Sequence, residues 1–512
     1  MLIPKKKGAT VDLVQLTGEI DSFMYTYILV IMLAAAGIYF SIRTGFVQLR
    51  FIPDMFKHIM EKKHNKDGKA VSSFQAMMIS TASRVGTGNI AGVATAIAMG
   101  GPGAVFWMWV MALLGSASAF VESTLAQVWK VKNPDGSFRG GPAYYIEQVL
   151  HQRWLGVIFS ISLILCFAFG FNGLQAFNTA SSLEHYFPDY MNNGMAAGVG
   201  IFLAALFAFT IFGENDRIST ITSALVPAMA LVYIFLALAV TVMNIGELPA
   251  VFGYIISNAF DFESIFGGFA GSCIMLGVKR GLFSNEAGMG SAPNAAAAAD
   301  VSHPVKQGLI QSLSVYIDTL LLCTCSAMMV MVFYVQDPAT ATTLNGIPLV
   351  QMAVSNMFGE NGIMVVTFAI WCFAFSSIIG NYFYAESNFL FITKNKVALL
   401  IFRVCCLLIV FAGACNSFDL AWNLADIFMG FMAIINLVVI FMLGKWAFKL
   451  LDDYTAQRNA GKDPVFIAEN IPGLPPTECW HAEDHAQASD ANPVREFTGE
   501  VFDALTTPKD PQ

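Results

Sequence analysis

The chain has 512 residues, of which 56% are hydrophobic and 12% charged, with a mean hydropathy of +0.60. A soluble domain is about a quarter charged, so this composition excludes a soluble globular protein and predicts a polytopic membrane protein. The formal net charge of −8 carries little information, because the charges crowd into loops and the tail.

The first apolar run, about 22–42, follows Lys5, Lys6 and Lys7 and lacks a small-residue cleavage site, so it reads as a membrane helix and not a signal peptide. Ten further runs of spanning length follow, at about 72–99, 103–129, 154–172, 194–212, 219–243, 264–298, 307–335, 361–392, 397–415 and 418–446. Lysine and arginine fill alternate loops: Arg43, Arg50, Lys57, Lys62, Lys63, Lys66 and Lys69 after the first run, then Lys130, Lys132, Arg139 and Arg153, then Arg217, Lys306, Lys394, Lys396, Lys445 and Lys449. The intervening loops hold none. Basic loops stay in the cytoplasm, which predicts an outside N-terminus, eleven crossings and an inside C-terminus, with Lys5 to Lys7 the local dissent.

Nine cysteines are present, and most (Cys166, Cys273, Cys323, Cys325, Cys372, Cys405, Cys406, Cys415) lie in apolar segments without the spacing of a disulfide framework. The polar, proline-containing tail reads as cytoplasmic and partly disordered. Its Cys479, His481 and His485 lack a full metal-ligand set.

The second run is interrupted by Gly86-Thr87-Gly88-Asn89, a poor helix centre. The seventh run carries Gly267-Gly268-Phe269-Ala270-Gly271-Ser272 and, further on, Gly277 and Gly281. Unwound backbone at membrane depth is tolerated only inside protein or along a wet cavity. Without the first run, ten segments divide five and five, and the two interrupted ones open each half in opposed directions. That pattern predicts an inverted-repeat transporter with its site at the breaks. Glycine packing is the alternative, and Gly267 with Gly271 forms a Gly-x-x-x-Gly of that kind. The division is 1–45 for the outside terminus and extra helix, 46–71 for a basic loop, 72–243 and 264–446 for the repeats, and 447–512 for the tail.

Two longer motifs carry a resemblance. One is Arg84-Val85-Gly86-Thr87-Gly88-Asn89-Ile90-Ala91-Gly92, leading into Gly100-Gly101-Pro102-Gly103 and Trp107-Met108-Trp109. The other is Arg280-Gly281-Leu282-Phe283-Ser284-Asn285-Glu286-Ala287-Gly288-Met289-Gly290-Ser291-Ala292-Pro293. Over roughly 15–450 the chain resembles the alanine or glycine:cation symporters, also called sodium:alanine symporters. The resemblance implies an all-α, LeuT-like 5+5 inverted repeat preceded by one extra helix. It also implies sodium-coupled, or in some members proton-coupled, uptake of small neutral amino acids across a bacterial or archaeal inner membrane.

On that reading, backbone amides of Thr87, Gly88 and Asn89 hold the substrate carboxylate, aided by the helix dipole. Carbonyls near Ser272, Cys273, Met275 and Leu276 hold its ammonium. The Thr87 and Asn89 side chains are alternatively caps of the break. Gln175 and Trp371 are candidate wall residues, or packing groups, and Met275, Leu276 and Trp371 would line a small side-chain pocket that favours alanine or glycine. Gln75 is a second-layer group or part of an inner gate. Sodium is expected between segments two and nine, at the Ala82 and Val85 carbonyls and the Ser376 and Ser377 hydroxyls. Serines bonding their own helix are the alternative.

Intramembrane charges are costly and call for a function. Asp318 is expected to ligate a cation or to pair with Arg84 or Lys279. Glu122, Glu286 and Glu386 are expected to pair with Arg84, Lys279 and Arg280 in an inner gate, or to form a purely structural network. Asp426 and Arg403 receive no assignment. No histidine falls well inside a spanning segment, which leaves protons to carboxylates. The expected partners are a small neutral amino acid, a sodium ion and the bilayer, with no nucleic acid, organic cofactor or obligatory protein partner. A channel lacks a filter motif here. A membrane enzyme lacks a paired-histidine metal motif, a phosphate loop or a nucleophile elbow.

Overall fold

A computed structural model describes residues 13–61, 70–213, 217–262, 268–269 and 272–482. Apolar runs fold as helices, because helices alone satisfy every backbone group internally within hydrocarbon. The first is α1 (Leu13–Arg43), which begins nine residues before the expected limit. Two short helices, Val47–Arg50 and Ile52–Ile59, occupy the stretch read as a basic loop. Lys62, Lys63, Lys66 and Lys69 lie outside the described residues, as do Lys5 to Lys7.

The second segment is two helices, α2 (Ser73–Arg84) and α3 (Ala91–Gly100), joined through one 3-10 turn at Thr87–Asn89. Then come α4 (Gly103–Val128), α5 (Arg153–Ser181), α6 (Met195–Ile211), α7 (Arg217–Met243) and α8 (Leu248–Ala259). The seventh segment divides into α9 (Cys273–Asn285) and α10 (Ala292–Ala298). It is followed by α11 (Pro304–Gln336), α12 (Gly346–Ile392, kinked at Gly359), α13 (Lys396–Ala414) and α14 (Phe418–Asn459). Eight of these helices are long and apolar enough to cross a membrane. Met195–Ile211 and the halves of the two divided segments are shorter.

The break in the seventh segment is not where the glycines first suggest it. Ser272 caps α9: its hydroxyl accepts from the Met275 N–H at 3.3 Å, and its carbonyl accepts from Leu276 at 3.0 Å. Those carbonyls are spent in helix. Gly277 and Gly281 lie within α9 and serve packing, since an added Cβ would come within 2.6 Å of the Ala104 carbonyl and 3.0 Å of Met111. The chain unwinds instead at Glu286–Ser291, where Glu286, Gly288 and Gly290 all adopt positive φ. Gly267 and Gly271 fall outside the described residues.

Among the described residues, the stretch after α14 does not trail away. On the face that bears the basic loops, the Phe466 N–H donates to the Ser302 carbonyl at 2.9 Å, and Trp480 Nε1 donates to the Gln127 carbonyl at 2.9 Å. Lys306 ties the same region together, 2.6 Å from Glu61 and 2.8 Å from Asp463. Cys479 is buried, and His481 bonds Glu469 at 2.7 Å; His485 lies outside the described residues.

Candidate functional site

Helix α2 ends because Val85 and Gly86 leave helical geometry, Gly86 at φ −124°, ψ −163°. Asn89 closes the turn, its Oδ1 accepting from the Gly86 N–H at 3.2 Å. Gln175 of α5 reaches across, and its Oε1 accepts from Thr87 N at 3.0 Å and Thr87 Oγ1 at 2.9 Å. A carboxamide oxygen therefore stands where a ligand carboxylate oxygen would take the Thr87 amide. Asn178, one turn on, donates to Thr87 Oγ1 at 2.7 Å. The Thr87 side chain is thus a bonded part of the wall.

Gly88 lies flat against the Phe283 ring; a Cβ there would overlap Phe283 Cε1. Phe283 is held between Phe171 and Trp422, with ring centroids at 4.6 and 5.4 Å. It sits in the last turn of α9, beside the second break. The N–H groups of Ala287, Gly288 and Met289 donate to Asn285 Oδ1, Glu122 Oε1 and the Glu286 carbonyl. Their helical acceptors would have been the carbonyls of Phe283, Ser284 and Asn285, which gain no such donor. Free acceptors therefore lie next to Thr87 and Gly88, ten residues from their expected place, whereas the Asn89 N–H, expected as a third donor, is spent on the Gly86 carbonyl at 3.2 Å within the turn.

That shift displaces several expected wall residues. Leu276 lies against Gly100, at the far end of α3 from the break, and Met275 lines a cavity with Met99 and Lys279. Cys273 Sγ bonds the Asn258 carbonyl at 3.5 Å. Trp371 donates to Ser182 Oγ at 3.2 Å and packs on Phe202, seven residues beyond Gln175 along α5. Gln75 closes a capping box with Ser72. Phe283, Ser284 and Asn178 were legible only as motif letters, without a marked role.

The expected sodium ligands divide. Ser377 Oγ donates to the Ala82 carbonyl at 3.0 Å and approaches the Val85 carbonyl at 3.4 Å. Close packing allows this, since a Cβ on Gly380 would come within 2.6 Å of the Ser83 backbone nitrogen. Ser376 Oγ instead donates to the Phe373 carbonyl of its own helix at 2.9 Å. These hydroxyl and carbonyl oxygens, without a charged ligand, suit a hard monovalent cation.

The charged groups also pair differently from expectation. Lys279 meets Asp21 at 2.5 Å and Asp426 at 2.7 Å, and Arg280 meets Asp426 at 2.8 Å. With the break at 286, both cations belong to the half of segment seven that joins α1 and α14, so they form no inner gate with the glutamates. Glu386 pairs with Arg403 at 2.7 Å. Glu286 accepts from Ser83 Oγ at 2.9 Å and Ser291 Oγ at 2.6 Å. Glu122 accepts from Gly288 N at 3.1 Å, Gly290 N at 3.0 Å and Asn436 Nδ2 at 2.8 Å, clamping the second break. Asp318 pairs with neither Arg84 nor Lys279; it takes Asn89 Nδ2 at 2.6 Å, Thr319 Oγ1 at 3.0 Å and the Ser284 hydroxyl. Arg84 bonds the Ser314 hydroxyl.

The description of the sodium:alanine symporter family matches residues 10–468. The amino-acid carrier protein AlsT of Bacillus subtilis is 47% identical over 463 residues, covering 90% of this chain and 97% of its own. The sodium/alanine symporter AgcS of Methanococcus maripaludis is 36% identical over 440 residues, covering 84% and 95%. The sodium/proton-dependent alanine carrier protein of Bacillus sp. PS3 is 38% identical over 426 residues, covering 80% and 94%. Among solved structures, MhsT in complex with L-phenylalanine shares the LeuT fold at 14% identity and a TM-score of 0.55, covering 75% of this chain and 96% of that one.

Proposed function

The chain belongs to the sodium:alanine symporter family, and we propose that it imports small neutral amino acids, alanine and glycine first among them, together with sodium. As a member it is a multi-pass membrane transporter and not an enzyme. The observation that carries the reading is the meeting of the two breaks. Backbone donors at Thr87 and Gly88 lie beside the turn that leaves the Phe283–Asn285 carbonyls without helical partners, with Ser377 Oγ 3.0 Å from the Ala82 carbonyl at the same break.

A zwitterion fits that arrangement. Its carboxylate displaces the Gln175 amide oxygen from Thr87 and takes the amides of the turn, at the positive end of α3. Its ammonium takes the carbonyls of Phe283 and Ser284. The Phe283 ring packed against Gly88 crowds the site, which favours a short side chain. Sodium takes the oxygens of Ala82, Val85 and Ser377, while Ser376 keeps its bond to the Phe373 carbonyl. Each ligand steadies the same turn, so each should raise the other's affinity by an equal factor. The face bearing Arg43, Lys130 and Lys306 lies in the cytoplasm of a bacterial or archaeal cell, with the N-terminus outside.

Proton coupling is the second reading. It draws on Asp318, a fully buried carboxylate whose hydrogen-bond donors are all neutral side chains. Uptake of labelled alanine into proteoliposomes under an imposed sodium gradient tests the first reading. Indifference to sodium overturns sodium coupling, and a requirement for a pH gradient favours protons. Competition by glycine, serine and glutamine then ranks the substrates.

A further inference from the structure

Helix α11 carries a line of polar side chains that the substrate site leaves unused. His303 precedes its first turn, and Gln307, Gln311, Ser314 and Asp318 follow at intervals of four, four, three and four residues. At roughly 3.6 residues per turn, those intervals keep Gln307, Gln311 and Ser314 on one face, with His303 as the extended cap before them and Asp318 in the wider π turn after them. All five are fully buried, each with 0% exposure.

The two ends of the line are anchored. Asp318 bonds Asn89 of the first break at 2.6 Å. Ser314 Oγ meets Arg84 and donates to the Gln311 carbonyl at 2.9 Å. At the basic face, His303 Nε2 lies 3.2 Å from Asp453, with its ring against Tyr454 and Phe466. Burial holds the His303 imidazole below its ordinary range, with Asp453 opposing and Lys306 and His58 adding to the effect, and its Nδ1 accepts from the Val305 N–H at 3.1 Å.

Between these ends the protein stops supplying partners. Gln307 Nε2 and Oε1, Gln311 Nε2, Arg84 Nε and Nη2, and the Ser123 and Thr124 hydroxyls of α4 are buried without a protein hydrogen bond. Thr124 stands against the same turn, because a Cβ on Gly308 would overlap its Oγ1. An unpartnered buried polar group costs about 1–3 kcal/mol. Seven such atoms around one stretch of helix point to ordered water as the shared partner.

We propose that these atoms hold a file of water joining Asp318 to the cytoplasmic face, and that the file passes protons to and from Asp318 by a route separate from that of the amino acid. A proton leaving the Asp318 carboxyl enters the first water, and one leaves the last water towards the His303–Asp453 end. The routes are distinct because the cavity of about 360 Å³ on the basic face is lined by α2, α6, α7, α10, α12 and α13 and by residues 135–139, including Ile79, Thr210, Asn294 and Tyr382, with nothing from α11. Around Asp318 stand Asn89, Ser284, Thr319 and Cys323, with Arg84 as the neighbouring cation. Around Arg84 stand the carboxylates Glu122 and Glu286. Lys306 is engaged with Glu61 and Asp463. Coupling to substrate rests on the proposed amino-acid site at Gly86–Asn89, because Asp318 acts there through Asn89; the water file itself does not.

The test uses the purified full chain in proteoliposomes containing a pH-sensitive dye. A potassium diffusion potential drives protons inward, with and without alanine, and sodium-driven alanine uptake is measured in the same vesicles. The wild type should acidify the lumen. Asp318→Asn and the double variant Gln307→Leu/Gln311→Leu should lower that flux tenfold or more, while the double variant retains alanine binding by calorimetry. Thr124→Val, a milder change, should lower it at least threefold and decides the matter if the double variant does not fold. Wild-type flux no greater than that of protein-free vesicles overturns the proposal, as does an unchanged flux in the folded Gln307→Leu/Gln311→Leu or Thr124→Val variants. Loss of alanine uptake with proton flux intact would sink the substrate reading and leave the path standing.

Discussion

The two breaks are built differently. The first is short and crosses no positive φ: Val85 and Gly86 sit at −77° and −124°. Its backbone amides are held by neutral acceptors, Gln175 and its own Asn89 and Gly86, and its tie to a carboxylate runs through the Asn89 side chain to Asp318. The second spans Glu286–Ser291, passes through positive φ at Glu286, Gly288 and Gly290, and is gripped by one carboxylate, Glu122, that takes two backbone amides and Asn436. Charge-assisted bonds are roughly twice as strong as neutral ones. The first break is therefore the one a ligand can re-bond cheaply, and the second is the fixed frame that presents carbonyls to it.

The sharpest way to break this contrast is Glu122→Ala. It orphans three buried donors, and at about 1–3 kcal/mol each it should cost about 3 kcal/mol or more of stability. A thermal midpoint in detergent equal to that of the wild type would show that the second break does not need its clamp. Next is Gly88→Val at the first break, whose side chain would occupy the space of the Phe283 ring. Alanine binding should fall about 100-fold or more, equivalent to roughly 2.7 kcal/mol, while the protein stays folded; calorimetry that still finds wild-type affinity rejects the backbone cradle.

Ser377→Ala removes the hydroxyl that touches the first break, and should raise the sodium concentration for half-maximal uptake about tenfold, roughly 1.4 kcal/mol. Ser376→Ala should do much less, because that hydroxyl bonds Phe373 of its own helix. Equal effects would mean that both serines face the ion. The smallest effect lies outside both breaks. His303 has a folded pKa below its unfolded value, so its contribution to stability is full above about pH 6.5 and fades as pH falls through the folded value. Melting midpoints should drop between pH 7 and 5 in the wild type and less in His303→Asn; parallel curves would remove His303 from the account.

The first break was readable because Gly86-Thr87-Gly88-Asn89 places two glycines and an asparagine within an otherwise apolar run. The second misled because glycine has two uses in a membrane helix. Gly277 and Gly281 let α9 approach α4, whereas Gly288 and Gly290 take backbone angles that other residues avoid. Composition does not separate these uses. One residue type thus drew the expected acceptors from Phe283–Asn285 to Ser272–Leu276, and carried Lys279 and Arg280 to the wrong half of the molecule.

By itself the sequence determined that the chain spans a membrane many times, which loops are basic, that the first helix of the core is broken at Gly86–Asn89, and which family it resembles. These follow from local chemistry: the cost of polar groups in hydrocarbon and the poor helix propensity of glycine. Only the tertiary structure decided which oxygens meet. Ser377 touches the Ala82 carbonyl 295 positions away, Glu122 holds Gly288 across 166, and Lys279 finds Asp21 across 258. Such pairings depend on how helices pack, and packing is set by complementary shape between segments that share no stretch of sequence.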